Sequence, residues 1–153
     1  MTKNLCIQIV SYNDETKFLG IKINIGKFCL TDNITVSKNG NKVKKDFYEF
    51  PLFLIKEFFS NLNNMLKTRY ARVSFFLKHL SCYSNPDIVF DKSPVSDIVV
   101  VSSNYSYDTI TDIEFTTVIH YAFYVDQLIS VIENFLQKLN ELEKHKDYYN
   151  AKL

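Results

Sequence analysis

Cys82 and a neighbouring histidine are the residues of this chain best suited to covalent or metal chemistry. Cys82 follows His79 at a spacing that metal ligands use, and His120 is a third candidate. A thiolate paired with an imidazole can act as nucleophile and base. Structural zinc takes four ligands, usually as two local pairs, and no second close pair is present. The sequence therefore predicts no metal and no cofactor, and a small Cys/His enzyme stays open as an alternative.

Three carboxylates, Asp108, Asp112 and Glu114, lie close together in the sequence. Asp112 and Glu114 fall on one side of a predicted strand, opposite Ile113 and Phe115. Paired carboxylates can transfer protons. An alternating acidic row is more simply the solvated side of a strand, and it can equally recognise a basic partner. These surface interpretations are favoured over acid–base catalysis.

Tyrosines supply a different kind of candidate site. The chain has ten Tyr, thirteen Phe and no Trp. A low-GC genome would enrich Phe and Tyr without functional demand, but it would not decide where they fall. Tyr83, Tyr105 and Tyr107 fall in predicted turns or loops, and tyrosine is enriched at protein interfaces. We predict a partner-binding patch of these three tyrosines, rimmed by the three carboxylates named above.

The phenylalanines mostly lie on apolar stripes. We therefore predict that they fill the core: Phe50, Phe53, Phe58, Phe59, Phe75, Phe115 and Phe135. Tyr12 instead falls in the polar segment Ser11–Thr16, which predicts a turn.

The motifs of nucleotide and hydrolase chemistry are missing from the sequence. It has no Gly-rich phosphate loop, no metalloprotease helix motif and no nucleophile elbow. The lysines at 38, 42, 44 and 45 share one predicted hairpin, where they protect an edge strand. Formal net charge is only +1, so no global field attracts nucleic acid. We predict no catalytic activity and no direct nucleic-acid partner.

Two hairpins are predicted in the first third of the chain. Residues 5–10 and 21–25 alternate between apolar and polar side chains around the polar turn, which indicates antiparallel strands. Asn39-Gly40 supplies the positive φ angles of a tight turn, so it predicts a second hairpin with a return strand from Lys42 to Tyr48.

Helical stripes follow at two places. Pro51 is predicted at the first position of a helix that extends to about residue 68. The second helix has the more regular apolar stripe: Val125, Leu128, Ile132, Phe135, Leu139 and Leu142. Packing on a sheet explains this stripe, and the alternative is a homodimer seam through Val125, Leu128, Ile132, Phe135 and Leu139.

Strands are predicted between these helices, at 70–80, 88–90, 98–102 and 109–121, with Asn104–Asp108 as a turn. The far end of 109–121 has helix as its alternative. Strands in runs with two segregated helices predict an α+β class. We expect a mostly antiparallel sheet of six to eight strands, with both amphipathic helices on one face and the other face partly open.

Length and composition predict one domain over residues 1–147 and a frayed tail at 148–153. Apolar residues make up 46% and charged residues 23%, which is typical of globular proteins. Three widely spaced cysteines predict reduced thiols. The N-terminus lacks the apolar region of a signal peptide, and no apolar run is long enough for a membrane span. We expect a cytoplasmic protein that does not enter membranes.

The layout resembles small single-domain immunity proteins of bacterial polymorphic toxin systems and related uncharacterised bacterial domains. The hairpin Ile34–Tyr48 through Asn39-Gly40, the segment Phe47–Pro51 before the first helix, and the closing strand and helix at 112–142 suggest it. The resemblance implies a non-catalytic cytosolic protein that binds and blocks a cognate toxin or effector. A phage- or mobile-element-encoded inhibitor of a host defence nuclease complex is the alternative, and no site residue is carried over.

Overall fold

The computed structural model describes residues 4–31, 33–36, 39–68, 73–76, 88–108 and 114–144; of these, 33–36, 42, 44, 73–76, 104–108 and 114–119 are described by their backbone alone. Ten strands and two helices follow one another in this part of the chain. They are β1 (Leu5–Asn13), β2 (Phe18–Ile25), β3 (Phe28–Cys29), β4 (Asn33–Val36), β5 (Lys42–Lys45), β6 (Tyr48–Pro51), α1 (Leu52–Leu66), β7 (Val73–Phe76), β8 (Ile88–Lys92), β9 (Ile98–Asp108), β10 (Glu114–Tyr124) and α2 (Val125–Lys144).

The strands form two four-stranded antiparallel sheets and a two-stranded ribbon. In the N-terminal sheet, β1 pairs with one edge of β2, while β3 and β6 pair with the other. The C-terminal sheet has the order β10-β9-β8-β7, and β4 and β5 form the ribbon. The predicted α+β class with mostly antiparallel strands and two helices is confirmed. The strands are divided between sheets rather than gathered into one.

Both helices bury their apolar stripes in one core. Lys56 Nζ lies 3.1 Å from Glu143 Oε1, and Lys67 Nζ lies 3.3 Å from Glu133 Oε1, so the helices run antiparallel. Between these pairs, the rings of Phe59 and Phe135 pack with their centroids 5.1 Å apart. α2 also contacts strands of both sheets. The helices therefore join the two sheets through a single set of buried side chains.

The apolar stripe of α2 is part of this core and not a surface. Leu128, Ile132, Phe135 and Leu139 have 2% or less of their surface exposed, and Val125 has 9%. Their neighbours are α1 and strands of the same chain. The homodimer seam that we considered along these five residues is therefore not available, because sheets and helix of one chain already cover it.

Three predicted boundaries are wrong. The return strand Lys42–Tyr48 is two strands: β5 pairs with β4, and β6 leaves the ribbon to pair with β2. Pro51 ends β6 and caps α1, with ψ of 136°, so it is not the first helical residue. The segment Asn104–Asp108 is the end of β9, not a turn. At the first two places, pairing of β6 with β2, a strand distant in sequence, overrides the local preference, and at the third the ladder with β10 does so.

The outward side of the N-terminal sheet is partly covered by the segment between β5 and β6. Lys22 Nζ lies 2.7 Å from Asp46 Oδ2, and this bond holds the pKa of Asp46 below its usual value. Gly20 lies beneath Phe47: a Cβ here would stand 3.2 Å from a ring carbon of Phe47 and would clash with Ser11 Oγ. Glycine is therefore needed for this close approach.

Candidate functional site

The C-terminal sheet turns one side to the core and leaves the other side to solvent. In β9, Val99 and Val101 are fully buried, whereas Ile98 and Val100 between them are 42% and 37% exposed. In β10, Phe123 is buried, and Tyr124 is 60% exposed. This alternation is what a strand gives when only one side of its sheet is packed.

We call the side of this sheet that carries the exposed Ile98, Val100, His120, Ala122 and Tyr124 the open face. Residues paired directly across antiparallel strands share a face, so the register defines its members. They are Ser74, Phe76, Val89, Asp91, Ile98, Val100, Ser102, Asn104, Ser106, Asp108, Glu114, Thr116, Val118, His120, Ala122 and Tyr124.

The open face has an apolar end and an acidic end. Tyr124 is registered with Ile98, and Ala122 with Val100, next to the turn that precedes β9. At the opposite end of the hairpin, Asp108 is registered with Glu114. The rows from Ile98 to Asp108 span roughly 33 Å at about 3.3 Å per residue. The exposed apolar side chains and the two acidic positions therefore share one face of the hairpin.

Charge is unevenly distributed over the open face. Among its strand positions in the described part of the chain, Asp91, Asp108 and Glu114 are acidic, and none is Lys or Arg. The whole chain, in contrast, has a formal net charge of +1. The strand positions of the open face that the structure describes therefore include acidic but no basic residue types.

The sheet separates two of the predicted patch tyrosines from two of the carboxylates predicted to surround them. Tyr105 and Tyr107 lie in β9, registered with Thr117 and Phe115. They belong to the same side of the sheet as the buried Val99 and Val101, whereas Asp108 and Glu114 belong to the open face. Tyr83 and Asp112 lie outside the described residues. Asp108 and Glu114 therefore lie on the face opposite Tyr105 and Tyr107; partner binding by these residues stays a prediction.

The sequence pattern does not reveal that Ile98, Val100 and Tyr124 are exposed on the open face. Tyr124 directly precedes the first residue of α2. Because the helical pattern of apolar residues begins there, the sequence does not show that Tyr124 is the end of a strand. Ile98 and Val100 lie in an unbroken apolar run, which is typical of a strand buried on both sides. If every second residue from Ile98 to Asp108 is assigned to the same side of a strand, the residues of the two faces are separated correctly.

Two other aromatic residues are placed opposite to expectation. Tyr12, predicted in a turn, lies in β1, which continues to Asn13, and it is 4% exposed because a register shift between Ile9 and Ser11 brings it to the same side as the buried Leu5 and Ile7. Phe53, predicted in the core, is 66% exposed. It lies in the first turn of α1, one residue after the buried Leu52, on the side of the helix away from the core.

Two of the three residues considered for catalytic or metal chemistry lie outside the described residues. His120 is exposed on the open face, while His79 and Cys82 lie outside the described residues. No group of three His, Cys, Asp or Glu side chains that would hold a metal ion occurs in the described part of the chain. Lys92 is buried, and its ammonium donates to the carbonyl of Ser93 at 3.3 Å, in a cleft that Asp97 and Asp126 also line.

Comparison with protein-family models, curated proteins and solved structures finds no match to this chain. Neither helix in the described ranges combines the length and apolar character needed to cross a bilayer.

Proposed function

We propose that the chain is a non-catalytic binding protein of the immunity type, which acts in the cytosol and blocks a toxin or effector protein by docking through the open face. The observation that carries the proposal is the exposure of Ile98, Val100 and Tyr124 on one side of a sheet. An apolar surface on a rigid sheet offers contact area at little cost in conformational entropy.

Tyr124 is the best anchor on this surface. Tyrosine is enriched among the residues that dominate binding energy. Tyr124 is 60% exposed and is the last residue of β10, directly before α2. Polar positions surround the apolar end of the open face, among them Ser102 and His120. An apolar centre with a polar rim is the usual composition of a protein interface.

Affinity capture from the source organism tests the proposal. We expect the wild-type chain to retain a specific protein, and Tyr124→Ala combined with Ile98→Thr to weaken its binding by about 30-fold, the effect of about 2 kcal/mol at a binding hot spot. Binding is then measured by calorimetry with the purified partner, and its toxicity is measured with and without the chain.

Phe53→Ala is the matched control, since it removes a ring of similar exposure from α1, far along the chain from the open face. Circular dichroism verifies that each variant is folded. Equal binding by wild type and the Tyr124/Ile98 variant would refute docking through the open face. A captured protein whose toxicity the chain does not relieve would refute the inhibitory role.

A further inference from the structure

We infer that the cleft between the end of α1 and the start of α2 binds a small amphoteric molecule. Such a ligand carries a carboxylate, an ammonium group and an apolar body, as an apolar α-amino acid or a short peptide does. The cleft has a volume of about 860 Å³, which lies within the usual range of small-molecule sites. This site goes beyond the proposed function, because it takes a small ligand rather than a protein.

Lys92 supplies a buried positive charge to this cleft. It ends β8 on the side of the strand that also carries the buried Ile88 and Phe90, and only 5% of its surface is exposed. An ammonium group has three N–H donors. In the described part of the chain the ammonium of Lys92 makes one hydrogen bond, to the carbonyl of Ser93 at 3.3 Å. Because a buried charge is costly unless it is paired, this ammonium is suited to receive a ligand carboxylate.

Asp97 and Asp126 supply the opposite charge to the same cleft. The carbonyl of Asp97 accepts the backbone N–H of Val125 at 2.8 Å, so the segment before β9 meets the first turn of α2. Lys92 is registered with Val99, two residues after Asp97. Among the described residues, no ion pair involves Lys92, Asp97 or Asp126. Both signs of charge therefore line one cleft within reach of a single small molecule.

Apolar side chains complete the cleft and define the body of the ligand. Leu66, Val125 and Ile129 line it from the two helices, and Tyr124 lines it from the end of β10. Apolar walls with a few polar groups that fix orientation are typical of small-molecule sites. A purely apolar molecule would cover the charged groups without giving them partners, which is costly, and an inorganic ion would leave the apolar walls uncovered. The cleft as a whole therefore selects an amphoteric ligand with an apolar side chain.

Titration of the ¹⁵N-labelled full chain with L-phenylalanine and with leucyl-leucine tests the inference. We expect saturable shifts of the amides of Lys92, Asp97 and Asp126, with a dissociation constant on the order of 1 mM for the better ligand. N-acetyl-L-phenylalanine lacks the cation and L-phenylalanine amide lacks the carboxylate, so each is expected to bind about tenfold more weakly than L-phenylalanine. The tighter of the first two ligands distinguishes a free amino acid from a peptide.

Lys92→Met removes the charge and keeps an apolar stem, so it is expected to weaken the binding of both ligands by about tenfold. Asp97→Asn combined with Asp126→Asn is expected to abolish the preference for L-phenylalanine over its N-acetyl form. Lys138→Met is the matched control, because Lys138 is exposed on α2 and does not line the cleft. Replacing buried charges by apolar side chains of similar volume is often neutral or stabilising, so Lys92→Met is expected to fold, and circular dichroism verifies this.

Equal binding of L-phenylalanine and leucyl-leucine by wild type and folded Lys92→Met would overturn the inference. So would the absence of saturable shifts at concentrations well above the expected dissociation constant. Shifts of the same size with sodium acetate or ammonium chloride alone would show a site for simple ions and overturn the amphoteric ligand. Docking through the open face is tested separately: Lys92 belongs to the core side of β8, so partner capture by Lys92→Met is expected to match that of wild type.

Discussion

The buried hydroxyl of Thr31 connects segments that are distant in the sequence. Its Oγ1 accepts a hydrogen bond from the backbone N–H of Ile23 at 3.2 Å and donates one to the carbonyl of Asp46 at 2.8 Å. Thr31 has no exposed surface. A single side chain thus satisfies a backbone group of β2 and fixes the path of the chain between β5 and β6.

Thr31→Val is expected to destabilise the protein by about 1–3 kcal/mol, because it keeps the shape of the side chain but leaves a buried N–H without its acceptor. Urea denaturation measures the change. Thr31→Ser is the control: it keeps the hydroxyl and loses one buried methyl group, which costs about 1 kcal/mol. A Val variant as stable as wild type would show that these hydrogen bonds contribute nothing.

At the scale of elements, the two helices are the parts that periodicity predicts best. The stripe of α2 recurs at helical spacing, and every member of it is buried in the structure. Periodicity shows that a helix has one apolar side, but it does not show whether that side packs on its own chain or on a second copy. In the structure α2 contacts α1, β1, β9 and β10, so its apolar side packs on its own chain.

Ile132→Ala is therefore expected to cost about 2–5 kcal/mol of unfolding free energy, as large-to-small changes in a packed core do. Ser130→Ala, an exposed position on the same helix, is expected to change stability by less than about 0.5 kcal/mol. Urea denaturation gives the stabilities, and light scattering gives the mass. A drop in mass on Ile132→Ala without a loss of stability would restore the dimer seam.

Hairpins show where local preference is sufficient and where it is not. Asn39-Gly40 lies in the connection between β4 and β5 as predicted, with Gly40 at φ 78°. Asn104–Asp108 contains the same kinds of turn-forming residues, yet it continues β9. The difference lies in the partner, because β10 provides a cross-strand neighbour for each of these residues and the ladder extends along its whole length.

At the scale of the whole molecule, one core joins both sheets and both helices. The ring of Phe58 in α1 packs against Phe90 of the C-terminal sheet with centroids 6.3 Å apart, and α2 contacts β1 of the N-terminal sheet. Among the described residues, the buried side chains of both sheets belong to the same cluster as those of the helices.

We expect a single cooperative unfolding transition. Far-ultraviolet circular dichroism, which follows helices, and tyrosine fluorescence, which follows side-chain packing, would give the same midpoint in urea. Hydrogen exchange would assign the slowest amides of both sheets the same opening free energy. Two separated transitions, or sheets with different opening free energies, would contradict the single core.

The sequence by itself determined the α+β class, the first hairpin, and the existence and apolar stripes of both helices. These features depend on side-chain period within one segment, and a period is local information. It also located carboxylates at Asp108 and Glu114, two members of the open face.

Only the tertiary structure decided which side of each strand is covered. Alternation divides β9 into two faces, but α1 and α2 lie on one of them and leave Ile98, Val100 and Tyr124 to solvent. Tertiary packing likewise leaves Phe53 exposed and buries Tyr12. Burial depends on which distant element packs against a residue, and that choice is made by the sum of contacts over the whole chain rather than by the residue's own neighbours in the sequence.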